Sequence, residues 1–466
     1  MSEENSAPPR ITGQIGAFVA DTTLADIPEG ALARGRVHIL DALGLAIAGA
    51  AAPAVDILMG YVARMGGEGQ ATILGSGRRA PASLAALVNG TAMHVDNFDD
   101  TSPQPSPDRN GGIHATAGVL PAALAVAEAN GLSGRALTEA FHIGLEVACK
   151  LNHAIDQRHY AGGFHVTGTL GIFGAAAAVA RLLALDAASV GHAMALATAR
   201  AGGVRANFGS MVEQMHTGLA AEGGVAAAEL AADGLTGSAD IMETRFGWFD
   251  AAGGGFIAGA IDGRLGAPWA IVDPGTWIKP YPSGSLTHPA MTLLADLMAK
   301  HGFSGKDVAH VRVTTNRRLA STLIHNRPTD AMQARFSMPF GLAALLVAGR
   351  AGLPEFTDAF VNRPDVRAMM ERVAYDTYET VEPGFSNVTS FVAVTLTDGT
   401  VHDGRADFAR GSTRSPMTWE AVTEKFEGCV AVAGWSRDRA RKVAELVASI
   451  ERLDDVRTLV RAIAGG

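Results

Sequence analysis

The sequence predicts a mainly α protein with a second, α+β domain: a large all-helical domain plus a smaller domain with a short antiparallel sheet. Three observations carry this. Apolar residues recur every three or four positions from Pro28 to Asp233, rich in alanine and glycine, and no strand-like alternation appears before about residue 265. Alternating runs then occur at 308–316 and 391–408, the second turning on Asp398–Gly399, a hairpin signal. From Thr418 onward the pattern is helical again and charged on one face. The implied division is 11–268 for the first part of the helical domain, 269–410 for the smaller domain, and 411–466 for C-terminal helices returning to the helical domain.

Residues 1–10 are polar and acidic and predict a disordered tail. Helices are expected at 28–51, 53–65, 81–97, 114–129, 134–154, 165–184, 187–200 and 217–233, separated by breaks such as Gly66–Gly67, Gly162–Gly163 and Asp233–Gly234. Their small-residue faces let helices approach closely. The segment 267–289 is rich in proline and turn signals, and a helix follows from about Ser285 to Lys300. VAHVRVTTN (308–316) alternates like a half-buried strand, a helix is expected over 336–349, and short helical pieces run on to Tyr375.

Composition narrows the function. Apolar residues make up 48% and charged residues 18%, as in a globular chain. The net charge of −9 disfavours nucleic-acid binding, so an anionic ligand would need a local cationic pocket. Cys149 and Cys429 lie far apart in apolar helical patterns, as expected for buried free thiols in a reduced, cytoplasmic protein. The N-terminus has no signal-peptide core, and Val166–Ala180 is shorter than the roughly 20 residues that span a bilayer, so no membrane partner is expected. No CxxC, HExxH or EF-hand spacing occurs, so no metal is expected, and no GxGxxG or GxSxG stands in the right context.

Four stretches could carry chemistry. HVDNFDDT runs into a Pro- and Gly-rich loop and then His114, bringing Asn97, Asp99, Asp100 and Thr101 near an imidazole. In GGFH, His165 opens an apolar helix, where the helix dipole disfavours the imidazolium. RANFGSMVEQMH puts Arg205, Asn207, Glu213 and His216 in a loop before the next helix. In WIKPYPSGSLTHP, Lys279 stands among apolar and proline neighbours, a setting that strengthens its pull on a carboxylate. Helix capping, buried histidines and a snorkelling lysine are the structural alternatives.

Together these four stretches, in this order, resemble the MmgE/PrpD family, which includes 2-methylcitrate dehydratases, cis-aconitate decarboxylases and iminodisuccinate epimerase. The resemblance runs from DALGLAIAG (41–49) to the hairpin at 391–408. It implies a large helical domain plus a smaller α+β domain, a homodimer, and no metal or organic cofactor. HVDNFDDT matches the family's HxxDFDDT, and His114 falls on the histidine of HPS. FHVTGTLG places His165 on the second family histidine, TKPLHxGxAA places His216, and KPYP places Lys279, while His288 matches a TH pair.

The chain departs from the family pattern at Asn97 (Asp in many members), Glu213 (Lys) and Gln214 (Pro). Phe340 stands where decarboxylase relatives carry Tyr, and the loop before His114 is longer.

The resemblance implies a lyase or isomerase that transfers a proton next to a carboxylate of a small di- or tricarboxylate, dehydratase-like. An epimerase of a substituted succinate and an inactive carboxylate-binding relative are the alternatives. His114 and His165 are expected to move protons, Asp99 to orient an imidazole, and Lys279 to neutralise developing charge with Arg205. Asn97, Asp100, Thr101, Arg205, Glu213, His216 and Ser285 complete the expected substrate contacts. Glu213 in place of lysine reverses a charge, a swing of two units, and predicts poor turnover of 2-methylcitrate and cis-aconitate. The loop 102–112 is expected to act as a lid, and the small-residue helical faces to carry the dimer interface.

Overall fold

The computed structural model describes residues 10–105, 109, 111–320, 322–380, 382–386 and 388–464. The expected disordered tail at 1–10 falls almost wholly outside the described residues, as do four residues of the expected lid. What is described of that loop is tied at its base. Ser102 and Ile113 form an antiparallel bridge, Gln104 Nε2 donates to Asn152 O at 2.9 Å, and Arg109 donates to His153 O at 2.6 Å.

The chain forms two compact units. The first comprises Met1–Val95, Asp99–Thr276 and Val422–Gly466; the second comprises Asp96–Phe98 and Trp277–Ala421.

In the first unit, long helices follow one another: α1 (Ile11–Asp21), α2 (Glu29–Gly49), α3 (Pro53–Met65), α4 (Ala82–His94), α5 (Ala115–Asn130), α6 (Gly134–Ala154), a short α7 (Arg158–Ala161), α8 (Val166–Leu182), α9 (Ala187–Thr198) and α10 (Met211–Ala232). A two-residue ladder, β1 (Ala71–Thr72) with β2 (Arg79–Ala80), is the strand pairing that the sequence pattern hid. Glu128 reaches it from α5, accepting from Thr72 N at 2.7 Å and from Arg79 at 2.7 Å. Helices α5 and α8 are buried nearly all round, so their patterns are continuously apolar rather than one-sided.

Two helix ends differ from the periodicity reading, and both matter for the site. Helix α4 stops at His94 instead of 97, because the chain then turns through Asn97, which sits in the left-handed region at φ 49°. Helix α10 starts at Met211, six residues before the expected 217. Met211 and Val212 are exposed apolar residues, which blur the amphipathic pattern there. Glu213 and His216 are therefore helical, not loop residues. Glu213 lies in the first turn, where a carboxylate suits the helix dipole.

Helices α4 and α10 approach closely through glycine. A Cβ on Gly218 would lie 2.2 Å from Leu87 O, and one on Gly90 would lie 2.9 Å from Gly218 Cα. Thr217 Oγ1 donates to Gly90 O at 2.8 Å across the same crossing.

In the second unit, α11 (His288–His301), the short α12 (Arg317–Ala320) and α13 (Ala331–Ala334), α14 (Met338–Ala348), the short α15 (Asp358–Val361) and α16 (Pro364–Glu371) accompany a four-stranded sheet. Its strands β3 (Val308–Asn316), β4 (Val373–Tyr378), β5 (Ser390–Leu396) and β6 (Val401–Ala406) lie in the order β4-β3-β5-β6. The hairpin β5–β6 and the pair β3–β5 are antiparallel, while β4 runs parallel to β3 and makes the sheet mixed. Strand β4 occupies part of a stretch whose pattern had looked helical. Phe340 is fully buried in the core of this unit, edge-on to Phe356 at 5.1 Å. Its ring serves packing there.

The C-terminal helices α17 (Trp419–Val432), α18 (Arg437–Ala448) and α19 (Arg457–Ala464) follow. Lys425 forms a buried ion pair with Asp41 of α2 at 2.6 Å, and Arg457 donates to Glu128 O at 2.9 Å. Cys149 and Cys429 are buried free thiols. No single helix among the described residues is long and apolar enough to cross a membrane.

Candidate functional site

Within the first unit, four helix ends bring their polar residues together: the C-terminus of α4 and the N-termini of α5, α8 and α10. His94 closes α4, His114 precedes α5, His165 precedes α8, and Glu213 and His216 occupy the first turns of α10. The ring centroids of His94 lie 4.8 Å from His114 and 6.4 Å from His165, and those of His165 and His216 are 5.1 Å apart.

His94 was not singled out from the sequence, although it opens the HxxDFDDT-like motif. Its Nδ1 lies 2.8 Å from Asp99 Oδ2 and its Nε2 lies 3.1 Å from Glu213 Oε1. Burial opposes charging the ring, but the two carboxylates outweigh it and push the imidazole up to about 10. Asp99 is likewise buried, and the imidazoles of His94 and His114 hold it well below the usual carboxylate range. Glu213 is lowered too, with His94 overcoming its burial.

His114 hydrogen-bonds through Nδ1 to Asp100 O at 2.6 Å, and the same atom is 3.3 Å from Asp99 Oδ2. A carbonyl oxygen only accepts, so Nδ1 carries the proton and, in the neutral ring, Nε2 holds the lone pair. His165 is 4% exposed and lies well below its ordinary value, first from burial and then from neighbouring histidines. The sequence anticipated a neutral ring here from the helix dipole; burial is the larger cause. His165 Nδ1 and His216 Nδ1 are 2.8 Å apart, so one donates and the other accepts. His216 is also lowered by burial, and the pair is neutral. Gly203 makes room beside it: a Cβ there would stand 3.3 Å from the His216 ring.

Other expected residues are placed differently. Asp100 was expected to contact substrate, but its carboxylate is turned into the core: it accepts from Thr116 Oγ1 at 2.9 Å and lies 3.3 Å from His38 Nδ1. Only its carbonyl serves the cluster, through His114. Thr101 is buried beside Gly112. Arg205 lays its guanidinium 3.9 Å over the Tyr160 ring and donates to Tyr160 O at 3.1 Å, and its Nε is buried without a hydrogen-bond partner. Phe208, just beyond it, stands edge-on to His165 at 4.9 Å.

In the second unit, Lys279 is 3% exposed and donates to Asn97 Oδ1 at 2.5 Å and to Asn97 O at 2.9 Å. Asp96 pairs with Arg335 at 2.7 Å, so two cations hold the Asp96–Phe98 tripeptide. Arg335 lies far along the chain from the motif and no spacing pointed to it. Ser285 opens a single 3₁₀ turn in this unit, and His288 Nε2 lies 3.2 Å from Ser283 O.

His94, Asp99 and His114 place three potential metal-ligand atoms within 4.8 Å of one another. Two ligands held about 2.0 Å from one tetrahedral ion stand about 3.3 Å apart. The 2.8 Å between His94 Nδ1 and Asp99 Oδ2 is a hydrogen-bond distance, and His114 Nδ1 is committed to Asp100 O. In this arrangement the trio is joined to itself and to the backbone by hydrogen bonds.

The MmgE/PrpD N-terminal domain matches residues 13–258 and the MmgE/PrpD C-terminal domain matches residues 281–451. The chain belongs to the MmgE/PrpD family. Among characterised relatives, it is similar to cis-aconitate decarboxylase from Homo sapiens, at 27% identity over 98% of this chain and 95% of the relative. It is also similar to cis-aconitate decarboxylases from Mus musculus (27% identity; 98% and 93% covered) and Aspergillus terreus (23%; 99% and 98%).

Proposed function

We propose that this protein is a lyase that acts on a small carboxylate substrate by moving a proton at a carbon next to a carboxylate. The observation that carries the reading is the histidine cluster. It combines two imidazoles able to carry a proton, His114 and the buried, neutral His165, with a fixed ion network that orients one of them, as general acid–base chemistry requires. Family membership and relatives named for cis-aconitate decarboxylation support the same class.

His114 is the proposed base, with Nε2 facing the proton it takes. Asp99, in contact with its Nδ1, stabilises the imidazolium formed. His165 supplies the second proton-carrying ring, backed by His216. Arg205, with its unpartnered Nε, is the proposed carboxylate partner in this unit. For Lys279 and Asn97 the support is the KPYP and HxxDFDDT-like motifs together with their mutual hydrogen bonds.

In dehydration, the C–H pair becomes the new double bond while hydroxide leaves with a proton. In decarboxylation, the C–CO₂ pair stays on carbon and takes a proton from an imidazolium. Both need the same two rings, and the relatives' names favour the second. A homodimer is proposed as well, because Ile57, Tyr61 and Met65 on α3 and Met211 and Leu219 on α10 are exposed apolar residues.

The test is incubation of purified protein with a panel of di- and tricarboxylates in heavy water, following deuterium at carbon, alkene formation and CO₂ release. The reading predicts deuterium exchange, and with it either elimination or CO₂ release (decarboxylation placing deuterium on the carbon that loses CO₂), with at least one acid, lost in His114→Gln. Absence of all three signals across the panel refutes it.

A further inference from the structure

A continuous line of side chains starts at Glu213 and ends at His114. Glu213 Oε1 meets His94 Nε2 at 3.1 Å, His94 Nδ1 meets Asp99 Oδ2 at 2.8 Å, and that same oxygen lies 3.3 Å from His114 Nδ1. We propose that His94 is a permanent imidazolium that positions Asp99 for His114, and that Glu213 is the specificity residue that keeps His94 charged.

Hydrogen-bond counting supports this. A neutral imidazole has one N–H, so it could serve only one of the two carboxylates. With a carboxylate on each nitrogen and the ring 2% exposed, both nitrogens must donate, since water is not there to replace either bond. The ring also terminates α4, and a helix C-terminus favours a cation. Glu213 in turn opens α10, where an anion is favoured. The groups facing His94 are Asp99 from the following loop, Glu213 and His216 from α10, His114 just before α5 and His165 just before α8. The His165 and His216 imidazoles, lowered by burial and by His94, leave this cation to the two carboxylates.

The arrangement revises the charge argument drawn from the sequence. Glu213 and the imidazolium it holds cancel each other. A lysine beside a neutral ring would leave one positive charge. The exchange therefore alters the local charge by one unit rather than two, and a carboxylate substrate meets no net repulsion from this pair. Glu213 selects for one carboxylate fewer than a lysine would, which points to a dicarboxylate rather than a tricarboxylate. This clause rests on the lyase reading; the protonation state does not.

Histidine selectively labelled with ¹³C and ¹⁵N, with His94 and His114 assigned by His94→Asn and His114→Gln, gives the test. In the wild type, the His94 ring should carry protons on both nitrogens at neutral pH and titrate at least about two units above a free histidine. Glu213→Gln should lower that titration by about one unit or more. A neutral His94 tautomer in the wild type, or an unchanged titration in Glu213→Gln, overturns the proposal. If His94→Asn fails to fold by circular dichroism, the Glu213→Gln arm decides. Absence of any lyase activity would overturn the functional reading without touching these resonances.

Discussion

Replacing Gly218 by alanine tests how far the site depends on the crossing of α4 and α10. The new Cβ would stand 2.2 Å from Leu87 O and 2.3 Å from Thr91 Oγ1, where contacts below 3.0 Å essentially never occur. The first obstacle is backbone, so no rotamer change relieves it, and α10 must retreat by about 1 Å. Glu213 lies one and a half turns away on the same helix, and its bond to His94 is 3.1 Å, so a retreat of that size breaks it. Overpacking costs about 1–3 kcal/mol, against at most about 1 kcal/mol gained from alanine's better helix propensity. The loss of a charge-assisted hydrogen bond adds about 1.5–3 kcal/mol. The net sign is destabilising. Gly428 provides the control: it is an exposed interior residue of α17, and a Cβ added to it would meet nothing within 4 Å, so Gly428→Ala should be neutral or stabilising. Thermal unfolding followed by circular dichroism should show Gly218→Ala melting several degrees below wild type and Gly428→Ala at or above it. If the two variants melt alike, the close-crossing argument fails.

Asp99→Asn removes the shared partner of His94 and His114 while keeping the shape, and should cut turnover of whichever acid proves active by about 10²-fold or more. A rate within a few-fold of wild type would show that the network does not serve catalysis. Glu213→Lys should improve binding of tricarboxylates relative to dicarboxylates by several-fold, read as the ratio of their KM values; an unchanged ratio would remove position 213 from specificity. His94, raised from 6.5 to about 10, binds its proton more tightly when folded, so its stabilisation is complete below about pH 6.5 and is lost as pH rises towards 10. Urea midpoints should therefore fall between pH 7 and 10, with a shallower fall in His94→Asn; parallel slopes would contradict the shift. Sedimentation velocity at micromolar concentration should find a dimer, and a monomer alone would refute the proposed covering of α3 and α10.

Much of this protein is written in local pattern. The periodicity of the first 230 residues and the alternation around Asp398–Gly399 specify a helical part and a sheet, because side-chain period follows backbone geometry directly. Motif order was enough to mark the family, and Asp99, His114, His165, His216 and Lys279 stood in it by number. Tertiary structure decided what each of these touches. His94 looked like an ordinary helix-end residue until Glu213, 119 positions later, was found on its far nitrogen. Asp100 looked equivalent to Asp99, yet one carboxylate faces the histidines and its neighbour faces Thr116 and His38. Strand β4 escaped because its ladder is parallel to β3, whose residues lie some sixty positions earlier. Periodicity reports which face of an element is apolar. Protonation depends on which acceptors arrive within about 3 Å, and that is set by chain segments brought together only on folding.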